Sequence, residues 1–209
     1  MLMNKPQATV VGAGLMSFMP GLTPAQRSSV KLAVLQAERE TRFVHEQGQV
    51  QNWYSYYKNK LKFYGWDAVP PSEVHWPGNE RSDIVDSALK AISAVAGSQY
   101  ASSTELAMRG LKQDARALVQ FERRTREQGV FQLLPCAPGR NGAVDMVLYY
   151  EELEQSQVAA GFLFRKRRHQ QVRAELVRFN TRLFDQQFRS KVERSLETIA
   201  LREILELEL

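Results

Sequence analysis

The chain contains one cysteine, Cys136, so no intrachain disulfide can form and the fold must rest on its packed interior. Histidine is nearly as scarce: His45, His75 and His169 stand far apart, without a nearby ligand pair. No HExxH, CxxC or Asp-rich calcium loop occurs, which removes the usual signatures of a metal centre. No G-x-S-x-G nucleophile elbow occurs either. Membrane-length hydrophobic runs are missing too. The nearest candidate, Ala8–Met19, is shorter than the ~18 residues that a span requires. Only Lys5 precedes it and no small-residue cleavage site stands before Pro20, so it is not expected to act as a signal peptide. The expected location is cytoplasmic, with any export using a route that needs no cleaved leader.

What is present is apolar and aromatic. The 209 residues are 44% hydrophobic and include ten Phe, seven Tyr and three Trp, enough for one close-packed core. Length favours a single domain, 1–209, over two. The net charge of +5, from 28 Lys+Arg against 23 Asp+Glu, is mild. A polyanionic partner is implied only where that excess is concentrated.

Thr23-Pro24-Ala25-Gln26 has the form of a capping box with Pro at the first helical position, and an apolar stripe through Val30, Val34, Ala37 and Val44 follows it. A second stripe runs through Tyr54, Tyr57, Leu61 and Tyr64, so helices are expected near 24–46 and 50–64, fused or separate. Residues 66–81 hold three prolines and read as a loop. Ser82 or Asp83 then caps a helix that Gly97 ends, and Ser102-Ser103-Thr104-Glu105 starts another that closes at Gly129. Beyond it the period shortens. Val130–Leu134, Ala143–Tyr150, Val158–Phe164 and Gln171–Phe179 read as strands, the middle pair as a hairpin, and from Asp185 helical spacing returns to the C-terminus. The expected class is therefore α+β: N-terminal helices (23–129) after an apolar arm (1–22), a small antiparallel sheet of three or four strands (130–182), and a long C-terminal helix (185–209).

The stretch SFMPGLTPAQRSSVKLAVLQAERE, followed by WYSYYKNKLKFYGW, resembles the opening of a group of small bacterial proteins of unassigned function. The resemblance covers the first third of the chain and implies a bacterial origin, with no activity attached.

Val10-Val11-Gly12-Ala13-Gly14 looks like the start of a dinucleotide-binding turn, in which glycines let the backbone approach a pyrophosphate at a helix N-terminus. Ser17 replaces the third glycine and Pro20-Gly21 would break the helix, so no cofactor is expected. The apolar side chains here, Val10, Val11, Leu15, Met16 and Phe18, are expected to be buried against the same chain or, in preference, a neighbouring molecule. Trp53 and Tyr56 leave the apolar face of their helix and stand beside Lys58, Lys60 and Lys62, an arrangement suited to a membrane interface or to base stacking. Arg165, Lys166, Arg167 and Arg168, extended by Arg173, Arg178 and Arg182, form the densest positive run, suited to phosphates of lipid or nucleic acid.

These features imply a non-enzymatic interaction protein that engages a membrane surface or a protein partner, of the kind represented by bacterial effectors and toxin-like virulence proteins. The long amphipathic helices further suggest a homo-oligomer. Nucleic-acid binding through Arg165–Arg182 is the alternative. An enzyme built around His75 and Cys136 ranks third, because nothing in the sequence places an activating base beside the thiol.

Overall fold

The computed structural model describes residues 5–69, 82–153, 163, 166–167, 172–196 and 201–209, with the backbone alone at 82, 166 and 167. At its centre is a mixed seven-stranded sheet of order β3-β8-β6-β5-β2-β1-β9. The strands are β1 Gln7–Val11, β2 Gly14–Phe18, β3 Trp66–Ala68, β5 Val130–Pro138, β6 Val144–Glu152, β8 Val172–Phe179 and β9 Ile204–Leu207. Only the β2–β5 pairing is parallel; every other neighbour is antiparallel. A separate two-stranded ribbon pairs β4, Ser82–Asp83, with β7, Lys166–Arg167.

Helices cover both faces. On one lie α1 (Pro24–Glu46), α2 (Trp53–Phe63), α6 (Thr181–Gln187) and α7 (Arg189–Ser195), whose buried side chains share a core with Met16, Leu134, Met146 and Phe179. On the other lie α3 (Ile84–Ala96), α4 (Ser98–Gln113) and α5 (Ala115–Gln128), packed on Val10, Leu15, Leu133, Tyr149 and Ala174. The inner strands β2, β5 and β6 are thus buried on both faces, as a sheet sandwiched between helical layers requires.

The expected small antiparallel sheet between helical blocks is corrected by this arrangement: among the described residues, the seven strands of this sheet interleave with seven helices. The N-terminal segment is where the difference is largest. Instead of an arm, residues 7–18 form a hairpin near the middle of the sheet, with Val11 opposite Gly14 and Gly12 turning at φ +57°. Glycine is required there, because a Cβ would lie 2.2 Å from Glu38 Oε1.

Helix boundaries follow the local chemistry. Thr23 and Gln26 close their capping box at 3.1 and 2.9 Å, Asn52 caps α2, and Asp83 caps α3. The helix expected to start at Ser102 begins instead at Ser98, after Gly97 at φ +99°, and ends at Gln113, where Asp114 caps a new helix. Gly129 closes α5 in the left-handed conformation. Strand β5 runs past the expected Leu134 through Pro135 and Cys136; the β5–β6 register is the same on either side of Pro135, where Leu133 faces Tyr149 and Cys136 faces Met146. The second strand of the hairpin expected over 143–164 lies almost wholly outside the described residues; β6 pairs with β5 and β8.

The long C-terminal helix is likewise overturned. Helix α6 gives way to α7 at Phe188, α7 ends at Leu196, and β9 adds to the free edge of β1 with Ala8 opposite Leu207.

Candidate functional site

Two polar features stand out, one buried and one open. The buried one surrounds the β1–β2 turn. Glu38, from the middle of α1, is fully buried and accepts the backbone N–H of Ala13 at 3.1 and 3.2 Å and the Gln128 amide at 3.0 Å. Burial pushes its carboxyl from the ordinary 4.5 up to about 7, against the opposing pull of Gln128, Arg42 and Ala13. Glu203, just before β9, holds the same turn by its carbonyl, which accepts from Gly12 N at 3.1 Å. Its side chain meets Arg39 at 2.9 Å, Arg42 at 3.4 Å and Arg124 at 3.5 Å. These groups fix the centre of the sheet to α1, α5 and the C-terminus.

The open feature is a cleft of about 680 Å³ lined by Lys62 and Trp66–Val69, by the turn Arg140–Ala143 between β5 and β6, and by Arg178 and Asn180–Leu183 at the end of β8 and the start of α6. The fold brings two separate sequence features together here: the end of the aromatic, lysine-rich helix and the end of the basic segment. Arg178 is held by Asp145 through two bonds of 2.7 and 2.9 Å, and Lys62 stands 3.9 Å from Asp67. Arg140 and Arg182 are exposed, and neither forms an ion pair among the described residues.

Two phenylalanines are left largely uncovered, Phe43 and Phe63, and the second follows the cleft residue Lys62 in α2. Phe63, next to Lys62, is 59% exposed although its ring touches Tyr64 and Phe188. Lys60 lies 5.9 Å from the same ring and pairs with Glu40 at 2.9 Å.

The other residues singled out from sequence fall elsewhere. Val10, Val11, Leu15, Met16 and Phe18 are all in the chain's own core. Trp53 is buried on Tyr57 and Tyr150, with ring centroids 4.7 and 5.7 Å away. Tyr56 is half-buried beneath Lys60. Arg173 lies over the Tyr54 ring at 4.8 Å. Lys58 is bound to the buried Glu175 at 2.7 Å. Lys166 and Arg167 belong to β7, while Arg165, Arg168, His75 and His169 lie outside the described residues. Cys136 is fully buried, its thiol donating to Leu134 O at 3.4 Å and pushed well up by burial, an environment that disfavours the nucleophilic thiolate. Among the described residues no cluster of His, Cys, Asp or Glu is arranged to hold a metal ion, and no helix is long and apolar enough to cross a membrane.

Like Asn180, Arg140 is a cleft residue that sequence reading missed. Its signal was the Arg-Asn-Gly turn, where Asn141 and Gly142 both take positive φ and so aim the segment outward.

No protein family and no curated protein matches the sequence. A solved structure of the Evf virulence factor is similar over 93% of this chain and 84% of its own length, at 11% identity and a TM-score of 0.32. A likeness at that level carries no argument about function.

Proposed function

We propose that this is a non-enzymatic interaction protein that docks on an anionic membrane surface with the end of the fold formed by the C-terminus of α2, the β5–β6 turn and the start of α6. The observation that carries this reading is Phe63: an aromatic left 59% exposed beside Lys62 and the cleft that holds Arg140 and Arg182. An aromatic ring set among cations suits the boundary between headgroups and acyl chains, where the ring is dehydrated and the cations meet phosphates. Nucleic acid is the weaker partner for this surface. Of the two aromatics suited to base stacking, Trp53 is buried and Tyr56 is half-buried. An effector or toxin-like role in a bacterium belongs to the same proposal and rests on the sequence's composition.

The test is vesicle flotation beside a gel shift with single- and double-stranded nucleic acid, each at low and high salt. Vesicles of phosphatidylcholine with roughly a third phosphatidylserine should carry the protein upward at low salt and release it at high salt. Phe63→Ser should weaken that binding about tenfold, the value of one dehydrated aromatic. A gel shift without flotation overturns the reading in favour of nucleic acid.

A further inference from the structure

The cleft beside Phe63 is more selective than a basic patch needs to be. Several of its acceptors are already used within the chain. The Gly142 carbonyl accepts from Gln26 Nε2 at 2.8 Å and from the Thr181 hydroxyl at 3.4 Å. Asp145 is bound by Arg178, and Asn180 Oδ1 accepts from Leu183 N at 3.0 Å. Donors, by contrast, remain. Arg140 and Arg182 have no acid partner among the described residues, and the Asn180 amide nitrogen is spare once its oxygen has capped α6. A recess of about 680 Å³ whose spare groups are donors, two of them cationic, matches a ligand made of acceptors.

We propose that this cleft is a binding site for a phosphate monoester, presented by the headgroup of a lipid, with Arg140 and Arg182 both donating to the phosphate. The inference rests on the membrane-docking reading and names the group that reading would recognise. The non-bridging phosphate oxygens accept from the two guanidiniums, which come from the β5–β6 turn and from α6. Phe63 then enters the acyl boundary next to the bound headgroup. Asp67, the acid on the rim, is 77% exposed and turned towards Lys62, which limits its repulsion of the incoming anion.

The experiment is an amide NMR titration with inorganic phosphate, with chloride at equal ionic strength as the control, followed by flotation on two vesicle types of matched surface charge. One contains a phosphatidylinositol phosphate and the other phosphatidylserine. Phosphate should give saturable shifts at Asn141, Gly142 and Asn180. Arg140→Gln and Arg182→Gln should each lower that affinity about tenfold, equal to about 1.4 kcal/mol, with melting temperatures unchanged because both side chains are exposed. Flotation should favour the phosphomonoester vesicles. Equal flotation on both vesicles with no saturable phosphate shifts overturns the pocket and leaves membrane docking standing. Saturable shifts without flotation keep the pocket and overturn membrane docking. Shifts that persist unaltered in the double variant place phosphate elsewhere and overturn the assignment.

Discussion

Glu38 reaches from the middle of α1 to the turn of the N-terminal hairpin and accepts the backbone N–H of Ala13 with both carboxylate oxygens, at 3.1 and 3.2 Å. A buried carboxyl here links the stability of the sheet to proton uptake. Its value of about 7 in the fold lies above the ordinary 4.5, so between these pH values the folded protein holds a proton that the unfolded chain has released. The stabilisation is complete below 4.5 and is lost as pH rises through about 7, a total of roughly 3 kcal/mol. Glu38→Gln keeps the shape and removes the titration. Denaturant unfolding at pH values from 5 to 8 should therefore slope for the parent and be flatter for the variant by that amount. Equal slopes would remove Glu38 from this role.

Gly12 and Glu38 are coupled by contact. A Cβ at Gly12 would meet Glu38 Oε1 at 2.2 Å and would also strain a backbone at φ +57°. Gly12→Ala should cost at least about 2 kcal/mol. In a Glu38→Ala background the steric part disappears, so the two costs should combine to less than their sum. Simple additivity in a double-mutant cycle would contradict the contact.

Glu203 should act as the anchor of the C-terminal strand. Glu203→Ala leaves Arg39, Arg42 and Arg124 around an absent carboxylate. The expected loss is about 2–3 kcal/mol, below that of a fully buried pair because the guanidiniums keep some solvent contact. Amide exchange in Ile204–Leu207 should accelerate more than exchange in β5 or β6.

The sequence made some of this architecture visible and concealed the rest for identifiable reasons. Helix starts were legible because caps are local: Thr23 with Gln26, and Asp83, act where their spacing says they should. The hairpin over residues 7–18 was hidden by its burial. A strand covered on both faces reads as a continuous apolar run, and Val10-Val11 and Leu15-Met16 lack the alternation that marks a half-exposed strand. Its Gly-Ala turn was nevertheless a hairpin signal of the kind that sets glycine at the first turning position. At the C-terminus the alternation was present in Leu205-Glu206-Leu207-Glu208-Leu209, but the helical spacing upstream of it suggested one long helix. The parallel β2–β5 pairing joins residues more than a hundred positions apart, which no local pattern encodes. The cleft was half legible. Lys62, Arg178 and Arg182 stood in two basic or aromatic segments, and only the fold brings those segments to Arg140.

Cys136 should behave as an interior side chain. Its thiol should remain unreactive to a polar disulfide reagent in the native protein and react fully on unfolding. Cys136→Ser should lower stability by about 1–2 kcal/mol, because a hydroxyl replaces a weakly polar thiol in the core, and should leave vesicle binding intact. Rapid native-state labelling would show that β5 opens far more readily than its burial implies.

Hydrogen exchange with and without vesicles rich in phosphatidylserine tests the central claim, that the α2–α6 end faces the membrane, by reading which amides become protected. Protection should concentrate in 60–68, 139–143 and 180–185, the segments that carry Phe63 and line the cleft. Protection confined to α3, α4 and α5 on the opposite face of the sheet, or no protection under conditions in which the protein floats, would contradict it.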